Sequence, residues 1–117
     1  MTYTTIDTVK AFARISHSDL GYPSDSEFNS FIENLIEYVK SIIDDYCGRQ
    51  FTPPIPTAIS FVATQICANI LHTILQRKIN PTIQTSEFAI KLVTPEAFTD
   101  ELKIMLDHYR ILNIQRG

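Results

Sequence analysis

The side chains of this 117-residue chain that could carry out a reaction are three histidines, two cysteines and two pairs of adjacent carboxylates. His17, His72 and His108 do not stand with another His, Cys or Glu at a spacing that would hold zinc or iron. Asp44-Asp45 and Asp100-Glu101 are sequence neighbours, and neighbours on a helix point in different directions. Neither pair therefore forms an acid/base dyad by spacing alone. Asp100 and Glu101 suit the first turn of a helix, where negative charge opposes the helix dipole. Cys67 and His72 are five residues apart, which puts a nucleophile and its base on different helical faces. Glycines at 21, 48 and 117 cannot make a phosphate-cradling loop, and no Gly-x-Ser-x-Gly elbow occurs. These residues predict a protein that is not an enzyme, uses no metal or cofactor, and works through its surfaces.

The bulk numbers fit one soluble domain: 44% hydrophobic and 20% charged residues over a length that supports a real core. A formal charge of −3 argues against a dedicated nucleic-acid binder, which carries a basic excess or stripe. Cys47 and Cys67 lack both disulfide density and zinc spacing, and read as reduced, small apolar fillers. The opening Met1-Thr2-Tyr3-Thr4-Thr5 has no cleavable signal pattern. The sequence offers no apolar run near the roughly 20 residues of a membrane span. The expected setting is a reducing cytoplasm, with no membrane partner.

The elements follow from periodicity and punctuation. A short helix over about residues 6–15 is capped by Thr5 and carries Val9, Phe12 and Ala13 on its apolar face. Residues 17–23 read as a loop ending in Gly21-Tyr22-Pro23. A long helix over residues 26–47 opens on the capping box Ser24-Asp25-Ser26-Glu27. Its stripe is Phe28, Phe31, Ile32, Leu35, Val39, Ile42, Ile43 and Tyr46, opposite a polar face with Glu33, Glu37 and Lys40. Gly48 closes it in the left-handed conformation, and Pro53, Pro54 and Pro56 keep the bridge that follows out of helix. Phe51 is the apolar anchor of that bridge.

A third helix spans residues 56–77 and is apolar on most sides, with Phe61 among the residues that widen its stripe. In so small a domain that excess implies a surface facing another subunit. Residues 82–93 alternate loosely and read as a long loop or a β-hairpin arm. A last helix starts at Thr94-Pro95-Glu96 and carries Phe98, Leu102, Met105, Leu106 and Tyr109 inward. Apolar character continues through Ile111, Leu112 and Ile114, which suggests docking. The expected fold is all-α: a single-domain bundle of about four helices, one short and three long. Its long excursion falls at residues 78–93 and its docking segment at residues 109–117.

Arg49 has two readings: a cation at the negative end of the second helix, or an intersubunit salt bridge to an acidic helix face such as Glu33 or Glu37. Arg77, Lys78 and Lys91 flank the excursion as a solvated face or as the lining of a channel.

Taken in order, these features resemble the head–tail connector proteins of tailed phages, also called adaptor or head-completion proteins. Val9-Lys10-Ala11-Phe12-Ala13-Arg14-Ile15 looks like that family's opening helix. Phe31-Ile32-Glu33-Asn34-Leu35-Ile36, followed by Ile43-Asp44-Asp45-Tyr46-Cys47-Gly48-Arg49-Gln50-Phe51, is similar to its hallmark, a long helix ending in Tyr-x-Gly-Arg-x-Phe. Pro56, Ala58, Ile66, Ala68 and Leu71 resemble the next helix; Leu102, Leu106 and Tyr109 resemble the closing one. Ser86-Glu87-Phe88-Ala89-Ile90 sits where the family carries a Ser-Glu segment, here without the usual glycine. The resemblance covers residues 9–110.

It implies a structural virion subunit that forms a ring with copies of itself, expected to be dodecameric. The ring would sit beneath the portal of a DNA-filled head, at the head–tail interface, having been made in the host cytoplasm. Its partners would be the portal protein and a stopper or tail-completion protein, with genomic DNA passing through without sequence-specific binding. The interface residues it points to are Arg49, Phe51 and Phe61, Phe88 and Ile90 of the excursion, and Tyr109, Ile111, Leu112 and Ile114 toward the portal. The alternative is a small helical DNA-binding or regulatory module. The proline-rich bridge, in place of a tight turn, and the lack of a basic recognition helix speak against it.

Overall fold

The computed structural model describes residues 2–77 and 86–110, and these form an all-α bundle. Its helices are α1 (Ile6–Ala13), α2 (Asp25–Cys47), α3 (Thr57–Gln76), α4 (Ser86–Ala97) and α5 (Asp100–Asp107), with a 3₁₀ turn at His17–Leu20.

Local chemistry sets the starts of the first three helices and the end of α2 as the sequence indicated, while α1 stops at Ala13, two residues short of the expected end. Thr5 Oγ1 accepts the Thr8 N–H at the start of α1 (3.2 Å), and Ser24 Oγ accepts the Glu27 N–H at the start of α2 (3.3 Å). Arg14 closes α1 in the left-handed region at φ 57°, and Gly48 closes α2 at φ 70° with its N–H on the Asp44 carbonyl at 2.8 Å. The Pro56 carbonyl receives the first N–H groups of α3, from Ile59 and Ser60.

The expected excursion is helical from Ser86 onward; residues 78–85 lie outside the described residues. Thr94 and Pro95 do not begin a helix but fall in the last turn of α4, where Thr94 Oγ1 donates back to the Ile90 carbonyl at 2.6 Å. Pro95 offers no N–H there, so α4 ends soon after, at Ala97. Thr99 is the cap of the next helix, its Oγ1 accepting the Leu102 N–H at 3.4 Å, with Asp100 and Glu101 in the first turn. The single closing helix expected from the sequence is thus two helices.

α3 is the centre of the fold and touches each of the other four helices. Ile59, Val62, Ile66, Ile70, Leu71 and Ile74 are shielded from solvent, as are Ala63, Cys67 and Ala68. Its nearly all-round apolar character is met mostly inside the subunit, and only a small part of it is left for the surface expected to face another copy. Phe61 and Leu75 are the large apolar side chains it leaves exposed. By length and composition alone α3 could cross a membrane, contrary to the sequence reading, but its place is that of a core helix.

The opening residues also belong to the core. Tyr3 and Thr4 are buried, and Thr4 Oγ1 meets Thr64 Oγ1 of α3 at 2.7 Å. At the other end of α3, Asn69 Nδ2 donates to the Ala97 carbonyl at 3.0 Å and ties down the end of α4.

Candidate interaction surface

The segment at the end of α2 builds an aromatic joint. After Asp44 the helix stops at Gly48, and the Arg49 N–H also reaches the Asp44 carbonyl, at 3.2 Å. The chain then turns so that the Arg49 guanidinium stands 4.5 Å from the centre of the Phe51 ring. Phe51 lies edge-on between Tyr3, at 5.7 Å and 80°, and Tyr109, at 5.9 Å and 77°.

Polar groups lock this joint. The Phe51 N–H donates to the Tyr3 hydroxyl at 2.9 Å, and that hydroxyl donates to Asp44 Oδ1. The second Asp44 oxygen takes the Lys40 ammonium at 2.6 Å, which also stands 5.1 Å over the Tyr3 ring. Burial, reinforced by the bond to Asp44, holds the Tyr3 phenol above its ordinary pKa. The same carboxylate raises the Lys40 ammonium.

A second aromatic group adjoins it, between the end of α2 and the start of α5. The Tyr46 hydroxyl donates to Asp107 Oδ1 at 2.6 Å, which raises the Tyr46 phenol. The Tyr46 ring meets Phe98 edge-on at 5.5 Å. Arg110 stands 4.6 Å from the Tyr46 ring, and Lys103 stands 5.3 Å from Phe98. Both cations have an aromatic face beneath them.

A third feature is apolar. Phe12 of α1 and Phe61 of α3 are 47% and 44% exposed, and meet edge-on at 6.2 Å. Together they help line an open cavity of about 390 Å³ that also includes Thr4, Thr8, Ser60 and Thr64. Phe12 was expected on the inward face of α1; the structure turns it outward.

The residues singled out from sequence fall into distinct places. Arg49 is exposed, and its backbone, not its guanidinium, serves the end of α2. Phe51 and Ile90 are turned into the subunit's own core, at 4% and 2% exposure, so neither offers surface to a partner. Tyr109 is half-buried against Phe51, and Phe61 is exposed beside Phe12. The side chain of Phe88 and all of Ile111, Leu112 and Ile114 lie outside the described residues. The fold thus brings Arg49, Phe51 and Tyr109 together and places Phe61 apart, between α1 and α3. Tyr3, Phe98 and Arg110 were missed; of these, only Phe98 carried a periodic signal.

The groups with reactive potential stay apart. Cys67 is buried, and burial pushes its thiol up to about 12. Cys47 is buried as well, with its Sγ donating to the Leu106 carbonyl at 3.9 Å. His72 on α3 is exposed, whereas Cys67 is buried. His17 Nδ1 lies 2.9 Å from the Tyr22 carbonyl. Among the described residues no group of three or more His, Cys, Asp or Glu is placed to hold a metal ion.

Comparison with known proteins brought no match: no family model, no curated protein and no solved structure matches this chain.

Proposed function

We propose that this chain is a ring-forming structural subunit of the tailed-phage head–tail junction. In this role it seats beneath the portal and extends the channel through which DNA leaves the head. The observation that carries the reading is the segment Tyr46-Cys47-Gly48-Arg49-Gln50-Phe51, which resembles the connector hallmark. The physical role of that segment in this subunit is consistent with the reading. It fastens the end of α2 to the opening residues and to α5, so that two arginines at the bundle's end are held in fixed positions.

A connector works by contact and not by chemistry, and it must let DNA slide. A subunit with a formal charge of −3 releases few counterions from DNA and so holds it weakly. The exposed Phe12–Phe61 pair and its cavity supply an apolar patch of the kind a docking partner covers. The partners on this reading are copies of the chain itself, the portal protein, and a stopper or tail-completion protein.

Co-sedimentation of the purified protein with DNA-filled, tailless capsids tests it. Saturable binding to filled capsids, absent from capsids lacking a portal, is the expected result. Failure to bind capsids, together with a salt-sensitive shift of duplex DNA, would replace the connector with the DNA-binding regulator.

A further inference from the structure

Among the described residues, four lysines and arginines have a carboxylate beside them. Lys10, Lys40, Arg77 and Lys103 pair with Asp25, Asp44, Glu96 and Asp100. Arg14, Arg49 and Arg110 have none, and of these three Arg49 and Arg110 are set apart by what holds them. Both are exposed, and neither is within ion-pairing distance of a carboxylate among the described residues. Each is held instead against an aromatic ring, Arg49 at 4.5 Å from Phe51 and Arg110 at 4.6 Å from Tyr46. A guanidinium so placed has already given up much of its rotamer freedom, while its N–H edge stays open to a two-point contact with a carboxylate. Arg49 follows the cap of α2 and Arg110 stands on Tyr46 in its last turn, which places both at the same end of the bundle.

The complementary charge lies on another side of α2. Glu33 and Glu37 are exposed, one helical turn apart, and line a groove of about 310 Å³ together with Thr2, Thr5 and Ile36. Neither glutamate pairs with a cation among the described residues. Tyr46, which carries Arg110, follows Glu37 by nine residues. At about 100° per residue it projects from the opposite side of the helix. The two arginines and the two glutamates therefore cannot meet within one subunit, but they can meet between two.

We infer that copies of this chain associate head to tail, with Arg49 and Arg110 of one copy bound to Glu33 and Glu37 on α2 of the next. The inference rests on the ring reading above and names its lateral contact. Because the two patches are different, the contact repeats in one direction, and it closes into a ring when the rotation between neighbours allows. The contact is built from exposed charges, so salt screens it.

Sedimentation velocity of the full chain at low salt, over a range of concentrations, tests the contact. The wild type is expected to form species larger than a monomer that dissociate on adding salt. The double variant Arg49→Glu/Arg110→Glu should associate at least tenfold more weakly, as should Glu33→Lys/Glu37→Lys. An equimolar mixture of the two should recover association, because unlike copies then present opposite charges at every contact. Circular dichroism checks that both variants keep the wild-type helix content.

A wild type that stays monomeric throughout, variants that associate like the wild type, or a mixture no better than its components would each overturn the contact. Capsid binding separates this from the connector reading. If Arg49→Glu/Arg110→Glu still builds a collar on filled capsids, the lateral contact is wrong and the connector reading stands. If the wild type self-associates as described but ignores capsids, the contact stands and the connector reading falls.

Discussion

Replacing Tyr3 with Phe removes one oxygen and keeps the ring, so it isolates the polar lock at the end of α2. The oxygen is the acceptor for the buried Phe51 N–H at 2.9 Å and the donor to Asp44. Without it, the Phe51 N–H has lost its acceptor inside the core, at a cost of about 1–3 kcal/mol. Asp44 keeps Lys40, and the edge-on contact with Phe51 survives, so no cavity forms. The expected loss is about 2 kcal/mol, from a total stability of about 5–15 kcal/mol for a domain of this kind. For a chain of this length that lowers Tm by roughly 8 °C.

Urea unfolding followed by far-UV circular dichroism measures it, with the midpoint falling and the slope unchanged. The variant should also respond less to alkali. The fold favours the neutral phenol and raises its pKa above the ordinary 10.0. Stability from Tyr3 is therefore full below that value and is lost as pH rises through the higher folded value. A loss under about 0.5 kcal/mol, well below the desolvation cost of an orphaned amide, would refute the view that Tyr3 anchors the joint.

Two further outcomes are expected. The Cys67 thiol sits at about 12 in the fold against an ordinary 9.0, so its contribution is full below pH 9 and drains away as pH rises toward 12. Cys67→Val should flatten the fall of Tm across that interval, and the native protein should resist thiol reagents at Cys67 until it is unfolded. Removing residues 111–117 should leave a folded subunit, read by circular dichroism, while abolishing capsid binding. Truncated protein that still loads onto filled capsids would show that this segment is not the portal contact.

Where local chemistry decides an element, the sequence was a good guide. Ser24 and Gly48 mark the ends of α2 because an N-cap hydroxyl and a left-handed residue each satisfy backbone groups without distant help. The prolines before α3 act in the same local way. The reading failed where two local signals competed. Thr94-Pro95 looks like a helix start, yet Ile90, Val93 and Ala97 are buried together at helical spacing, and that packing carries α4 through the proline. Thr99, followed by two acids, carried the same start signal and was the true one.

The interaction surface was legible only in part. The residues from Tyr46 to Phe51 drew notice, but their partners come from the opening residues and from α5, 48 residues before Phe51 in one case and 61 residues after Tyr46 in another. No local pattern announces that Tyr3 will accept an amide so far along the chain. The burial of Phe51 was hidden for the same reason: a lone aromatic in a polar bridge looks like a surface anchor until Tyr3 and Tyr109 close over it.

Cryo-electron imaging of the portal vertex of DNA-filled, tailless capsids, with and without the purified protein, decides whether the chain sits at the head–tail junction. A collar of added density, continuous with the portal channel and divisible into repeating helical subunits, is the expected result. Portal vertices unchanged by saturating protein, under conditions where the protein is folded, would contradict it.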